Sequence, residues 1–482
     1  MSVDPTAPGP LGPLLPALRA IVGEAGLISD SEPEALVPYL REQRGNYTGK
    51  SPLVIRPATT EQVAAVVRCL YAAGVPIVPQ GGNTSLCGAS TPSGRGDEVV
   101  LSLGRLNKVR AVDAANFTMT VEAGCILSDV QRVAAEADRL FPLSLAAQGS
   151  CQIGGNLSTN AGGTQVLRYG NARELVLGLE VVLPDGQVLD RLRGLRKDNT
   201  GYDLIHLFCG AEGTLGVITA AVLKLYPRPV EQVTALLALP DLGAALTLLG
   251  WARAATSDAL TAFEFIPRIA LEFVLRHIPG TREPFAKPYP HYLLLEASAT
   301  AQDGAAALLP QVMALLARAA EDGLVLDTVI AQNPAQAAAL WKLRESISDA
   351  QKPEGVSLKH DVAVPVSRLA DFIAAADAAV TAACPGVRIV SFGHVGDGNV
   401  HYNLSQPPGS ERAVFAASRE PLARIVHDLA VALGGTFSAE HGIGRLKRDE
   451  LRRYRSAVEV DVMQRIKNAL DPKGLMNPGK VL

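Results

Sequence analysis

Apolar and polar positions change rhythm along this chain, and the changes mark its elements. Residues 12–44 carry apolar residues at helical spacing and read as one or two helices, with breaks at Asp30 and Pro33. From about residue 51 short apolar runs alternate with amphipathic stretches. The run at 52–57 is a strand closed by proline, and 75–82 is a second strand that runs into glycine. Between them, 59–74 has a threonine N-cap, an early glutamate and a closing glycine, which predicts a helix. Further strands are expected at 99–103, 118–124, 175–186 and 216–227, and the Pro184-Asp185-Gly186 turn makes the third of these the start of a hairpin. After Arg228-Pro229 an Ala/Leu-rich pattern begins. It predicts helices at 241–255, 301–321 and 366–382, a strand at 291–298, and a last helix at 457–470 ending at Asp471-Pro472. Mixed strands and helices of this kind predict an α+β or α/β architecture.

Composition narrows the function classes. A chain of 482 residues exceeds what one core organises, and 48% hydrophobic residues supply the cores. The formal charge of -3 gives no electrostatic footprint for nucleic acid or an anionic membrane, so an anionic substrate needs a local cationic pocket. Cys69, Cys87, Cys125, Cys151, Cys209 and Cys384 form no Cys-x-x-Cys pair, which fits a reducing compartment. The N-terminus has neither the pattern of a signal peptide nor that of an Arg-rich transit peptide, and no apolar run reaches membrane-spanning length. A cytoplasmic protein is expected.

Glycine, asparagine, serine and threonine concentrate in three segments, at 79–88, 148–163 and 208–219. Glycine lets backbone N–H groups approach a ligand, and successive N–H groups make anion-binding concavities suited to a pyrophosphate. One such segment alone is an ordinary turn; three in one domain, each beside an apolar strand, point to a cofactor. The cofactor is not a nicotinamide held in the usual way, because no G-x-G-x-x-G opens a helix after a strand, and no phosphate-binding G-x-x-x-x-G-K-[ST] loop is present.

The three segments, together with the C-terminal LMNPGKVL at 475–482, resemble the FAD-binding domain of the vanillyl-alcohol oxidase and p-cresol methylhydroxylase superfamily. The resemblance implies that Pro79, Gln80, Gly81, Gly82, Asn83, Thr84 and Ser85 wrap the pyrophosphate. It implies that Gln148, Gly149, Ser150, Gly154, Gly155, Asn156, Ser158, Thr159, Asn160 and Gly162 line the flavin and adenine. Glu212, Gly213, Gly216 and Ile218 join that lining, with Asn477 near the isoalloxazine ring. Relatives that tether flavin covalently use a histidine in the first loop; Asn83 stands here, so the FAD is expected to be non-covalent. Cys151 is expected to be a small packing residue. The resemblance implies this layout: a helical segment 1–48, a two-subdomain FAD-binding domain of the p-cresol methylhydroxylase type at 49–228, an α+β substrate (cap) domain at 229–435, and a C-terminal segment 436–482 returning to the flavin.

His394 and His401 are seven apart, which on a continuous strand would place them on opposite faces. Gly393, Gly396 and Gly398 suggest a turn that brings them together, and His401 and Asn403 then share a strand face. Glu440-His441 precedes a second glycine pair. Two histidines and a carboxylate suit zinc or manganese, although the spacing fits a structural histidine pair as well. This half resembles the FAD-linked D-2-hydroxy acid dehydrogenases, a branch with D-lactate, glycolate and D-2-hydroxyglutarate enzymes. That resemblance implies His394, His401 and Glu440 as metal ligands, with zinc expected and manganese as the alternative. Asn403 and His441 would contact substrate, His441 as general base while hydride passes from C2 to flavin N5.

Residues 340–351 read as one helix with Arg344 and Ser348 on one face, and 357–365 as a strand carrying Lys359. Arg344, Ser348 and Lys359 could clamp a distal carboxylate, or could be solvated surface groups. The W-x-x-R-E and K-x-D pattern resembles the D-2-hydroxyglutarate enzymes, with serine here in place of their usual threonine. D-2-hydroxyglutarate is therefore the expected substrate, ahead of D-lactate, D-malate or glycolate. The resemblance further implies an electron-transfer flavoprotein, quinone or cytochrome as acceptor and a homodimer; a flavin subunit of a larger complex is the competing reading.

Overall fold

The computed structural model describes residues 11–29, 31–42, 45, 47–300 and 308–482. Its contacts divide the chain into two compact units: one holds the chain up to Gly162 with Asn171–Pro227 and Glu440–Leu482, the other Gly163–Gly170 with Arg228–Ala439.

Among the described residues the first unit contains two larger sheets and a two-stranded pairing of Arg139–Leu140 with Tyr226–Pro227. In one, strands Leu53–Ile55, Val99–Ser102 and Ile77–Gln80 run parallel, with Leu27–Ser29 antiparallel at the edge. All residues of Leu53–Ile55 and Val99–Ser102 are buried, as expected of parallel strands covered on both faces. The helix Thr60–Ala72 forms as expected, with the Thr59 side chain accepting the Gln62 N–H, a cap worth about 1 kcal/mol. The second sheet is antiparallel, in the order Val109–Asp113, Thr118–Glu122, Val217–Lys224, Val176–Val182, Val188–Asp190. Its last two strands are the expected hairpin, turning at Gly186 with φ +81°. The strand Val109–Asp113 was not legible because its residues are mostly exposed.

The second unit is an eight-stranded sheet, with Glu231–Leu239, His291–Ala299 and Leu260–Pro267 at its centre and the hairpin Arg388–His394/Asn399–Ser405 beyond them. Helices cover both faces. Leu293, Leu295 and Ala297 join the core under Leu242–Ala255 and Leu308–Glu321, while the intervening Tyr292 and Leu294 join a second core under Arg268–His277 and Pro334–Glu345. Burial on both faces erases the polar–apolar alternation, which is why Glu231–Leu239 and Leu260–Pro267 read as part of an Ala/Leu-rich run. Of the helix expected at 301–321, the first seven positions lie outside the described residues; it runs from Leu308 to Glu321. Among the described residues no helix is long and apolar enough to cross a membrane.

Candidate active site

In the first unit the four flavin-directed segments meet. The strand Ile77–Gln80 delivers the first glycine loop, and the chain end returns to that strand: Ile77 N–H bonds Leu475 O at 2.8 Å and Asn477 N–H bonds Ile77 O at 2.7 Å. A Cβ on Gly82 would collide with Ser150 O, so the first and second segments touch through backbone. Gly213, at φ +71°, lies against the Pro79 ring, which brings in the third segment. Nine described non-glycine residues have positive φ, and four of them are Asn83, Asn160, Glu212 and Asn477. Three of these four are asparagines, which tolerate this region, and Glu212 is the one that holds strain there.

Three buried side-chain oxygens in these segments, Gln152 Oε1, Asn156 Oδ1 and Asn477 Oδ1, make no hydrogen bond within the protein. Buried acceptors need partners, and a ring system with N–H and hydroxyl donors supplies them, so the residues fit FAD. Not every expected contact comes from a side chain. Gln80 Nε2 is committed to Tyr39 O and Ser90 O, and Asn83 Nδ2 to Pro38 O and Arg41 O, so neither side-chain amide N–H group is left for a cofactor. Glu212 likewise spends its carboxylate on the N–H groups of Ile443 and Gly444. Burial pushes the Cys151 thiol up, which suits the packing role expected of it. In the same unit the Glu440 carboxylate lies over Gly162, where a Cβ would come within 2.9 Å of Oε1.

In the second unit the expected glycine turn forms: His394 ends one strand and His401 sits on the next, their rings edge to face with centroids 5.3 Å apart. Asp361 is the register partner of His401, with Oδ1 3.8 Å from Nδ1, and Asn399 Nδ2 holds that same oxygen at 3.0 Å. The segment expected as one strand at 357–365 is two short ones, Ser357–Leu358 and Asp361–Ala363. Both keep one register, since Leu358 opposes Leu404 and Asp361 opposes His401; the same offset sets Lys359 across from Asn403. Even-numbered positions here (Leu358, Val362, Val400, Tyr402, Leu404) enter the core, so Lys359, Asp361, His401 and Asn403 share the opposite face. His360 belongs to the core side, with Nδ1 2.8 Å from Tyr402 O.

Two expectations need correction. Residues 340–351 are not one helix: Pro334–Glu345 ends at Ser346, and Ile347–Ala350 starts anew. Arg344 is buried whereas Ser348 is exposed, so the two do not share a face. Arg344 instead meets Glu264, a residue that sequence reading passed over. Glu264 Oε2 accepts Arg344 Nε–H at 2.8 Å, and Oε1 lies 2.6 Å from His394 Nδ1. Arg344 Nη2 is 2.7 Å from the same Oε2 yet off the hydrogen-bond line, so that contact is ionic and the buried Nη2 makes no hydrogen bond. Burial would raise the Glu264 pKa, but His394 and Arg344 outweigh it and hold the carboxyl down at about 2. A single acid within the apolar run Ala262–Pro267 was the available signal, because a buried charge requires a partner.

Comparison with known proteins fits this geometry. Residues 51–191 match a family described as "FAD binding domain", and 228–481 match "FAD linked oxidases, C-terminal domain". Among solved structures, p-cresol methylhydroxylase with substrate bound superposes with a TM-score of 0.75 at 17% identity, covering 99% of this chain and 98% of that one. Alkyldihydroxyacetonephosphate synthase gives 0.75 at 18% identity over 99% and 86%; both show the fold alone. Fold and flavin segments thus define an FAD-dependent dehydrogenase of the FAD-linked oxidase type. The D-2-hydroxyglutarate dehydrogenase of Xanthomonas citri pv. viticola is 41% identical over 94% of this chain and 93% of its own length. The mitochondrial enzyme of that name from Rattus norvegicus is 38% identical over 94% and 82%, and the D-2-hydroxyglutarate–pyruvate transhydrogenase of Saccharomyces cerevisiae 34% over 96% and 93%. The chain belongs to this D-2-hydroxyglutarate dehydrogenase family.

Proposed function

We propose that this dehydrogenase oxidises D-2-hydroxyglutarate to 2-oxoglutarate, with FAD held non-covalently by the glycine segments and Asn477. The observation that carries the substrate is Arg344. It is a buried guanidinium, ion-paired with Glu264 but with no hydrogen bond from Nη2, held on the same sheet face as His401 and Asn403, and such a donor suits a carboxylate. Lys359, opposite Asn403, supplies a second cation, and the names of the relatives support a dicarboxylate. Ser348 is left out of this clamp.

His394, His401 and Glu440 are proposed to hold a divalent metal, zinc by preference. Chain connectivity supports the third ligand: Ala439 N–H bonds Asp361 O, Asp361 opposes His401, and Glu440 is the next residue. The donor set of two imidazoles and a carboxylate fits zinc with an open position. When bound, the metal supplies Lewis-acid polarisation of the substrate hydroxyl, and FAD supplies the two-electron acceptor. His441 takes the hydroxyl proton on its imidazole as C2 becomes a carbonyl carbon, Asn403 orients the substrate, and Arg344 and Lys359 fix its far end.

Reoxidation by an electron-transfer flavoprotein, a quinone or a cytochrome is carried over from the family resemblance; the name of the yeast relative adds an oxo acid to the acceptors to assay. A homodimer is proposed on the same resemblance, and several relatives have "mitochondrial" in their names. The test is anaerobic reduction of the flavin by D- and L-2-hydroxyglutarate, D-malate and D-lactate, for the wild type and Lys359→Ala. D-2-hydroxyglutarate is expected to bleach the flavin at the highest kcat/KM and to lose most of it in the variant. A preference for D-lactate that Lys359→Ala leaves unchanged overturns the dicarboxylate reading.

A further inference from the structure

We infer that Glu264 is a positioning residue shared by two parts of this site: one carboxylate oxygen orients His394 toward a divalent metal, and the other orients Arg344 toward the anionic end of the substrate. The inference rests on the function proposed above and adds a residue outside both ligand sets.

The arrangement follows from sheet register. Glu264 and His394 are direct partners across two antiparallel strands, so their side chains emerge together on one face. Oε1 lies 2.6 Å from His394 Nδ1. An ionised carboxylate only accepts, so in the neutral imidazole Nδ1 carries the proton and Nε2 keeps the lone pair. That is the tautomer a ligand binding through Nε2 requires, and a carboxylate behind a metal-binding histidine also fixes the plane of its ring.

Oε2 performs the equivalent task for Arg344, accepting its Nε–H at 2.8 Å while the Phe392 ring lies 4.8 Å from the guanidinium carbon. Nε is bonded and one face is packed, so the fork has little freedom, and the buried Nη2 hydrogens are aimed rather than mobile. Both bonds end on one rigid carboxylate. Loss or displacement of Glu264 frees both partners at once, so metal affinity and dicarboxylate affinity fall together.

The test uses the full chain with flavin bound, stripped of divalent metal and titrated with zinc against a chromophoric chelator. Glu264→Gln keeps the shape and removes the charge and the second acceptor. It is expected to weaken zinc binding by about 10–100-fold. At saturating zinc it is expected to raise KM for D-2-hydroxyglutarate more than for D-lactate. Arg344→Gln, outside the metal ligand set, is expected to weaken zinc binding as well, by about three- to tenfold. That result separates positioning through Glu264 from substrate binding alone, and it decides the matter should Glu264→Gln fail to fold. Zinc affinity within about twofold of wild type in the folded variants overturns the inference. A wild type that binds no zinc, or whose flavin D-2-hydroxyglutarate does not reduce, overturns the underlying reading itself, a separate result visible before any variant is made.

Discussion

Glu212 Oε1 accepts the Ile443 N–H at 2.7 Å and Oε2 the Gly444 N–H at 2.8 Å, so the third glycine segment holds the loop that follows Glu440 and His441. Burial pushes this carboxyl up to about 7, against the two N–H bonds and the charge of Lys447. The folded pKa is above the unfolded one, so the protonated form is favoured by folding. Its contribution is fully present below about pH 4.5 and is lost as pH rises through about 7. Glu212→Gln, neutral throughout, lacks this dependence. Its Tm relative to wild type is expected to rise between pH 5 and pH 8, by the equivalent of at most about 3 kcal/mol. A difference that stays flat with pH contradicts the assignment.

Gly162 has room for hydrogen only, because a Cβ would come within 2.9 Å of Glu440 Oε1. Gly162→Ala is expected to leave the flavin spectrum and Tm nearly unchanged while lowering kcat on the order of 10²-fold, through displacement of that carboxylate. Steady-state kinetics beside an absorption spectrum would check it.

Asn477 bonds Ala89 O at 3.0 Å and Glu212 O at 2.7 Å from a backbone φ of +46°, so it joins the chain end to two glycine segments. Asn477→Ala leaves two carbonyls short of a donor and puts alanine in the left-handed region. A loss of about 2–4 kcal/mol is expected, together with flavin lost on gel filtration. Full retention of flavin at an unchanged Tm would contradict this.

Metal analysis of the purified chain is expected to find about one divalent ion. Prolonged chelation should abolish D-2-hydroxyglutarate oxidation, zinc or manganese should restore it, and the flavin should remain bound. Activity that survives thorough chelation removes the metal from the mechanism.

The glycine segments were the most legible part, because their turns are written locally. Glycines that permit close approach, and asparagines that tolerate positive φ at 83, 160 and 477, carry their chemistry in their own residue types. The hairpin that pairs His394 with His401 was legible for the same reason, through the glycines of its turn. Glu264 was not. It lies 130 residues before His394 and 80 before Arg344, on a strand buried on both faces, where the alternation that reveals strands is missing. Ser348 was misplaced because the spacing of four assumes an unbroken helix, and the helix ends at Ser346.

By itself, then, the sequence determined what short-range geometry determines: the glycine turns, the caps, the two histidines at one hairpin and the class of cofactor. The tertiary structure decided which distant groups face one another. Register set Glu264 against His394, Asp361 against His401 and Lys359 across from Asn403, because a strand's pairing depends on partners far away in the chain. It also set Arg344 in a buried ion pair with Glu264, since only packing determines which charges lose their water.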